Sequence, residues 1–169
     1  MPAELCDVFR ERRVDLILHA GDIDSPRVLD VLGEVAPVLA VRDYTDDDQG
    51  DIRLRETRRV IEVEDRKIGL LHDISWPGAR VNAEDGLHFP DLPISDVLIS
   101  KFGQVVDIVV FGHTHEELVL VHEGVWFVNP GSVAAPGHRH QLGDLGTIGI
   151  MEITTGENIS VEILKLQEA

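Results

Sequence analysis

Two histidines one residue apart, His113 and His115, follow the apolar run Val106-Asp107-Ile108-Val109-Val110-Phe111-Gly112. A β-branched run of this kind reads as a buried strand, and the carboxyl ends of such strands are where open α/β folds gather their ligands. Residues i and i+2 of an extended segment point the same way, so both imidazoles are expected at one locus. Two other predicted strands end in the same manner: Val14 to Ala20 runs into Gly21-Asp22, and Lys67 to Leu71 runs into His72. One carboxylate with several imidazoles is a donor set for manganese, iron or zinc, and a carboxylate can bridge two ions. Two ions about 3.5 to 4 Å apart clamp a phosphate and supply a hydroxide, which is the chemistry of phosphate-ester hydrolysis. Singly, Asp22 would read as a helix cap and His72 as a core or turn histidine; only the set carries the expectation. His19, His88, His122, His138 and His140 read as structural or surface residues, with His138 and Arg139 kept as candidate phosphate contacts.

The elements that must position these groups alternate at first and then pair. Pro2 to Arg13 is predicted as a helix with Leu5, Val8 and Phe9 on one face, and it leads into the strand Val14 to Ala20. Asp24-Ser25-Pro26 opens a second helix that ends near Gly33, and Pro37 to Val41 is a short buried strand. Arg42 to Asp51 is a loop crowded with carboxylates. Arg58 to Val63 and Lys67 to Leu71 form a hairpin, Asp73 to Leu92 reads as a long loop, and Pro93 to Phe102 as a helix. After the focal strand come the pairs Glu117 to His122 with Val125 to Val128, and Thr147 to Ile153 with Ile159 to Leu166. Units of β-α type followed by hairpins predict a mixed α/β (α+β) class: two packed mixed sheets flanked by helices, in one domain over residues 1–169.

Composition sets the boundaries. Thirty-one acidic residues against fifteen basic give a net charge of −16, which repels a phosphate backbone and makes long nucleic acid a poor partner. A small phosphate ester drawn to a metal remains compatible with it. Only Cys6 is present, which fits a reducing compartment, and neither a signal peptide nor a bilayer-spanning run is read. A cytoplasmic protein with no membrane partner is expected.

Taken together, His19-Ala20-Gly21-Asp22, Ala40-Val41-Arg42 with Asp46, Lys67-Ile68-Gly69-Leu70 with His72, Phe111-Gly112-His113-Thr114-His115 and Asn129-Pro130-Gly131-Ser132 resemble the calcineurin-like metallophosphoesterases. The branch they are most similar to is that of the small phosphodiesterases related to the retromer subunit Vps29. The resemblance implies a β-sandwich flanked by helices with a two-metal site at the strand ends. It implies Asp22 as the bridging ligand, His72 and His113 on one ion and His115 on the other. Manganese is the ion expected, with iron, nickel and zinc as alternatives. The implied activity is hydrolysis of a small phosphate ester by a metal-bound hydroxide. The alternative is a binding module similar to Vps29 that has lost turnover.

The chain departs from the family pattern in three places. The first family strand, which ends in Asp-x-His, has no counterpart, because the opening Met1-Pro2-Ala3-Glu4-Leu5 resembles the family's first helix. The family's Gly-Asn ligand pair is replaced by Asp43-Tyr44, and spacing leaves Asp43 and Asp46 both open as substitutes. Asp73 follows the middle histidine where a glycine is usual, and Thr45 stands where larger relatives have a histidine acid. Loss of an interior strand would leave backbone groups unpaired at about 1 to 3 kcal/mol each. The expectation is therefore a reading frame started too late by roughly a dozen residues, the length of a strand and its turn. Otherwise an open edge would invite pairing into a homo-oligomer.

Overall fold

In the computed structural model, which describes residues 4–43, 47–48, 50–75, 79–82, 86–89, 92–141 and 146–166, the predicted order of elements is kept. The chain runs α1 (Leu5–Glu11), β1 (Ile17–His19), α2 (Arg27–Gly33) and β2 (Val38–Ala40), then a 3-10 turn at Ile52–Leu54. β3 (Arg58–Val63), β4 (Arg66–Leu71), β5 (Arg80–Asn82), β6 (Gly86–His88) and α3 (Ile94–Phe102) follow. The second half holds β7 (Ile108–Val110), β8 (Glu117–His122), β9 (Val125–Pro130), β10 (Thr147–Glu152) and β11 (Ser160–Lys165).

The two-residue hairpins are set by local chemistry. Val63 pairs with Arg66 across Glu64-Asp65, and His122 with Val125 across Glu123-Gly124; Glu64, Glu123 and Gly124 all take positive φ, as tight hairpin turns require. The principal sheet has the order β3-β4-β7-β9-β8, with β4, β7 and β9 parallel and the two outer strands antiparallel. Its central strands are apolar on both faces because both are covered. Val109 and Phe127 pack under Val97 and Leu98 of α3, while Ile108 and Val110 join Ile68 and Val128 on the opposite face. Full burial of each such side chain contributes roughly 1.5 to 3 kcal/mol. Gly103, at φ 73, ends α3 in the left-handed conformation that a helix terminus prefers.

The second layer of the sandwich is built from two separate pairs. β1 and β2 are parallel, β10 and β11 antiparallel. Ile17 of β1 and Ile148 of β10 share one core with Leu5 and Phe9 of α1 and Leu32 of α2. Leu18 and Met151 face the other way, onto the principal sheet. Both pairs therefore lie between the principal sheet and the α1–α2 helices, and the architecture is the expected mixed α/β sandwich.

Two expectations are corrected. The stretch Asp73 to Leu92 is not loop throughout, since Arg80–Asn82 and Gly86–His88 pair as a short hairpin; three-residue strands carry no legible period. The first helix ends at Glu11, and Arg13 turns away from it at φ 52. Among the described residues, no helix is long and apolar enough to cross a membrane.

Candidate metal centre

β4 and β7 run parallel and end side by side, so the residues beyond the end of each strand arrive at one rim. His72 comes directly after β4 and is buried. Its Nδ1 lies 2.7 Å from the carbonyl oxygen of Ala20, just past β1. A carbonyl oxygen only accepts, so Nδ1 carries the proton and Nε2 of the neutral ring is left with a lone pair. Asp22 Oδ1 lies 3.4 Å from that Nε2, and Asp22 Oδ2 lies 2.7 Å from Nε2 of His115. One carboxylate thus stands between imidazoles delivered by two different strands. His113 is beside them, its ring edge-on to His72 with centroids 5.3 Å apart.

The backbone that aims these groups is strained. Asp22, His113 and His115 have φ of 54, 69 and 59. Non-glycine residues seldom occupy this left-handed region, and those that do cluster at functional sites. This corrects the expectation of an extended His-x-His segment: β7 stops at Val110, and a turn, not strand alternation, directs the two rings. Gly21, at φ 103, lies against His72 so closely that a Cβ there would collide with the ring. Asn129, fully buried in β9, clamps the turn from below. Its Nδ2 donates to the Gly112 carbonyl at 2.9 Å and the Thr114 hydroxyl at 3.0 Å, and its Oδ1 accepts from the Gly131 N–H at 2.9 Å. Asn129 was visible as a motif residue, but the clamp depends on contacts across the sheet that spacing does not carry.

His19, read as structural, belongs to this site. Burial lowers its pKa, against the opposing pull of Asp22, and its Nδ1 is buried without a hydrogen-bond partner. Asp43 stands beyond the carboxyl end of β2, half-buried, with its carbonyl accepting from the Arg42 guanidinium at 3.0 Å. Tyr44, Thr45 and Asp46 lie outside the described residues.

A second cluster of Glu116, Glu117 and His140 brings its donor atoms within 4.8 Å of one another, closer together than the Asp22 group. Compactness is not the deciding property, because this cluster already contains its counter-charge. Arg139 donates through Nε to Glu116 at 2.8 Å and through its backbone N–H at 3.0 Å, and His140 Nε2 lies 2.8 Å from Glu117. Arg139, one of the two candidate phosphate contacts, ties its loop to the segment after His115, assisted by the bond from the Gly137 N–H to the His115 carbonyl at 3.0 Å. His138 is exposed. Among the described residues Asp22 has no lysine or arginine partner, only the two histidines. A carboxylate and a fixed imidazole lone pair facing each other with no cation of the protein between them fit a divalent ion.

The profile of the calcineurin-like phosphoesterase superfamily domain matches residues 1–156. A probable metallophosphoesterase of Methanothermobacter thermautotrophicus is 32% identical over 166 residues, 98% of this chain and 83% of the relative. Among solved structures, Vps29 of Entamoeba histolytica complexed with zinc is similar at a TM-score of 0.67 and 23% identity, over 98% of this chain and 89% of that one. A novel archaeal phosphodiesterase is similar at a TM-score of 0.58 and 20% identity, over 94% of this chain and 88% of that one. On the extent of the domain match and the archaeal likeness, the chain belongs to the calcineurin-like phosphoesterase superfamily.

Proposed function

We propose that this chain is a divalent-metal-dependent phosphodiesterase acting on a small phosphate ester, with manganese as its ion and iron, nickel or zinc as alternatives. The observation that carries this reading is the Nε2 lone pair of His72 facing Asp22 Oδ1 at 3.4 Å. Two electron-rich atoms at this separation repel each other, and a cation held between them would relieve that repulsion. Bound between them, the ion would polarise a phosphoryl oxygen and activate a water. The chain's own groups have distinct parts. The Ala20 carbonyl keeps the His72 proton on Nδ1, so Nε2 stays available. Asp22 offers one oxygen to each side, and both it and His115 remain partly open to solvent, which leaves the rim accessible to a substrate. The Asn129 clamp holds the turn that carries His113 and His115. With a net charge of −16 over the molecule, attraction for a phosphate has to be local, which favours a small ester over a long polyanion.

The test is hydrolysis of a chromogenic bis-phosphate ester with and without added manganese. Turnover that needs the ion and disappears when His113 and His115 are both replaced by alanine is expected. Activity unchanged by that replacement would contradict the proposal, and neither metal uptake nor turnover would leave the fold as a binding module similar to Vps29.

A further inference from the structure

Basic charge is scarce in this chain and gathers in one place. The seven residues Arg53 to Arg59 hold four of the fifteen basic side chains, against a single carboxylate, Glu56. Arg53 is neutralised by Asp51 and by Asp30, the latter at 2.8 Å. Arg59 is anchored without being neutralised: its Nε donates to the Ala40 carbonyl at 2.7 Å and its Nη2 to the Arg53 carbonyl at 3.3 Å. Among the described residues no carboxylate pairs with Arg55, Arg58 or Arg59, and Arg58 is exposed. Arg58 and Arg59, with Leu39, Val60, Ile61 and the one acid Glu56, line an open groove of about 410 Å³ between β2 and the free edge of β3. Val63 and Arg66 close a two-residue turn, so Val63, Ile61 and Arg59 carry the ladder bonds to β4 and the Val60 N–H points out along that free edge.

The groove lies at the rim end of the sheets. Arg58 stands opposite Leu71 in the β3–β4 ladder, at a Cα separation of roughly 4.5 Å for a pair of this kind, and His72 is the residue after Leu71. Ala40, whose carbonyl holds Arg59, stands opposite His19 at the end of β1. Both arginines therefore sit beside strand ends that lead into the candidate metal centre, on the order of 10 Å from it, or two strand spacings. We propose that this groove is an anion subsite, which holds a second negatively charged group, a phosphate or a carboxylate, of an ester whose phosphodiester lies at the rim. Arg58 meets that oxyanion with its planar fork, Arg59 adds a charge fixed in place by two carbonyls, and the Val60 N–H adds a fixed donor, with Glu56 opposing them. A net charge of −16 repels anions over most of the surface, so an ester is selected by where its second charge falls. What happens at the rim rests on the phosphodiesterase reading; anion binding in the groove does not.

Titration of the metal-free protein with methyl phosphate or with acetate, at an ionic strength held constant with sodium chloride, tests the subsite without turnover. In nuclear magnetic resonance spectra the Nε–H signals of Arg58 and Arg59 and the amide of Val60 should shift and saturate with at least one of the two, which names the oxyanion. Arg58→Gln should weaken that binding at least ~5-fold, and Glu56→Gln should tighten it about threefold. Shifts that do not saturate, that chloride alone reproduces, or that survive Arg58→Gln unchanged would overturn the inference. Turnover with manganese then separates the two claims. Among nitrophenyl phosphodiesters of matched length ending in a methyl, a carboxylate or a phosphate, a charged end should lower KM at least ~10-fold, and Arg58→Gln should bring charged and neutral esters to about the same KM. Equal KM for all three in the parent would overturn the subsite and leave the phosphodiesterase reading in place. Saturable anion binding without hydrolysis of any ester would support the subsite and contradict that reading.

Discussion

Two clusters of carboxylate and imidazole lie side by side in this protein, and they differ in what balances their charge. The Glu116 carboxylate is buried, which alone would raise its pKa, but the bonds and charge of Arg139 more than reverse this and hold it below the usual value. Glu117 is likewise lowered through His140. Among the described residues Asp22, half open to solvent, is paired only with histidines, one with its proton committed to Ala20. The more compact cluster is thus electrostatically closed and serves to fix the His115 segment, while the looser one is electrostatically open. A donor set becomes a candidate for a metal by the charge it lacks, and crowding of donors is a poorer guide.

The largest effect that would break or sharpen this contrast is expected from Asp22→Asn, which keeps the shape and removes the charge. Manganese-dependent kcat/KM should fall by about a thousandfold, equivalent to the several kcal/mol a bound ion supplies, with little change in Tm; a rate within a few-fold of the parent would break the contrast. Gly21→Ala should come next. It forces a side chain into the φ 103 position and into the His72 ring, for an expected loss of about 3 kcal/mol by denaturant unfolding. Arg139→Met should cost about 1 to 2 kcal/mol, reduced from the buried-pair value because Arg139 is half exposed, and should leave manganese content unchanged. Since the folded-state pKa of Glu116 is depressed, its contribution is present above the unfolded value of 4.5 and lost as pH falls through the folded value. Parent and variant stabilities should therefore converge in acid.

The smallest effect concerns Lys101, buried in α3, whose pKa burial lowers to about 8 against the opposing influence of Asp73. Between that value and the unfolded 10.5 the unfolded chain holds more protons, so stability rises with pH, by about 1 kcal/mol from pH 8 to about pH 9. Lys101→Met should abolish the rise, and an unchanged pH profile in the variant would show that this lysine is not its source.

Much of the fold was legible because periodicity and turn chemistry are local. The Val106 to Phe111 run, the Glu64-Asp65 and Glu123-Gly124 turns, and the proline and glycine bounding α3 each act over a few residues. The candidate site was legible as a set of residue types at strand ends. What stayed hidden depends on distant contacts: the Ala20 carbonyl fixing the His72 tautomer, Asn129 holding the β7 turn, and Arg139 closing the neighbouring cluster. The left-handed conformations of Asp22, His113 and His115 were hidden as well, since nothing in aspartate or histidine requires them.

The most direct test of the central claim is manganese bound per chain after equilibrium dialysis, measured for the parent, Asp22→Asn and His140→Gln. Binding by the parent and His140→Gln, with loss in Asp22→Asn, is the result expected if the electrostatically open cluster takes the ion. Retention in Asp22→Asn with loss in His140→Gln would place the ion in the Glu116 cluster and contradict the account.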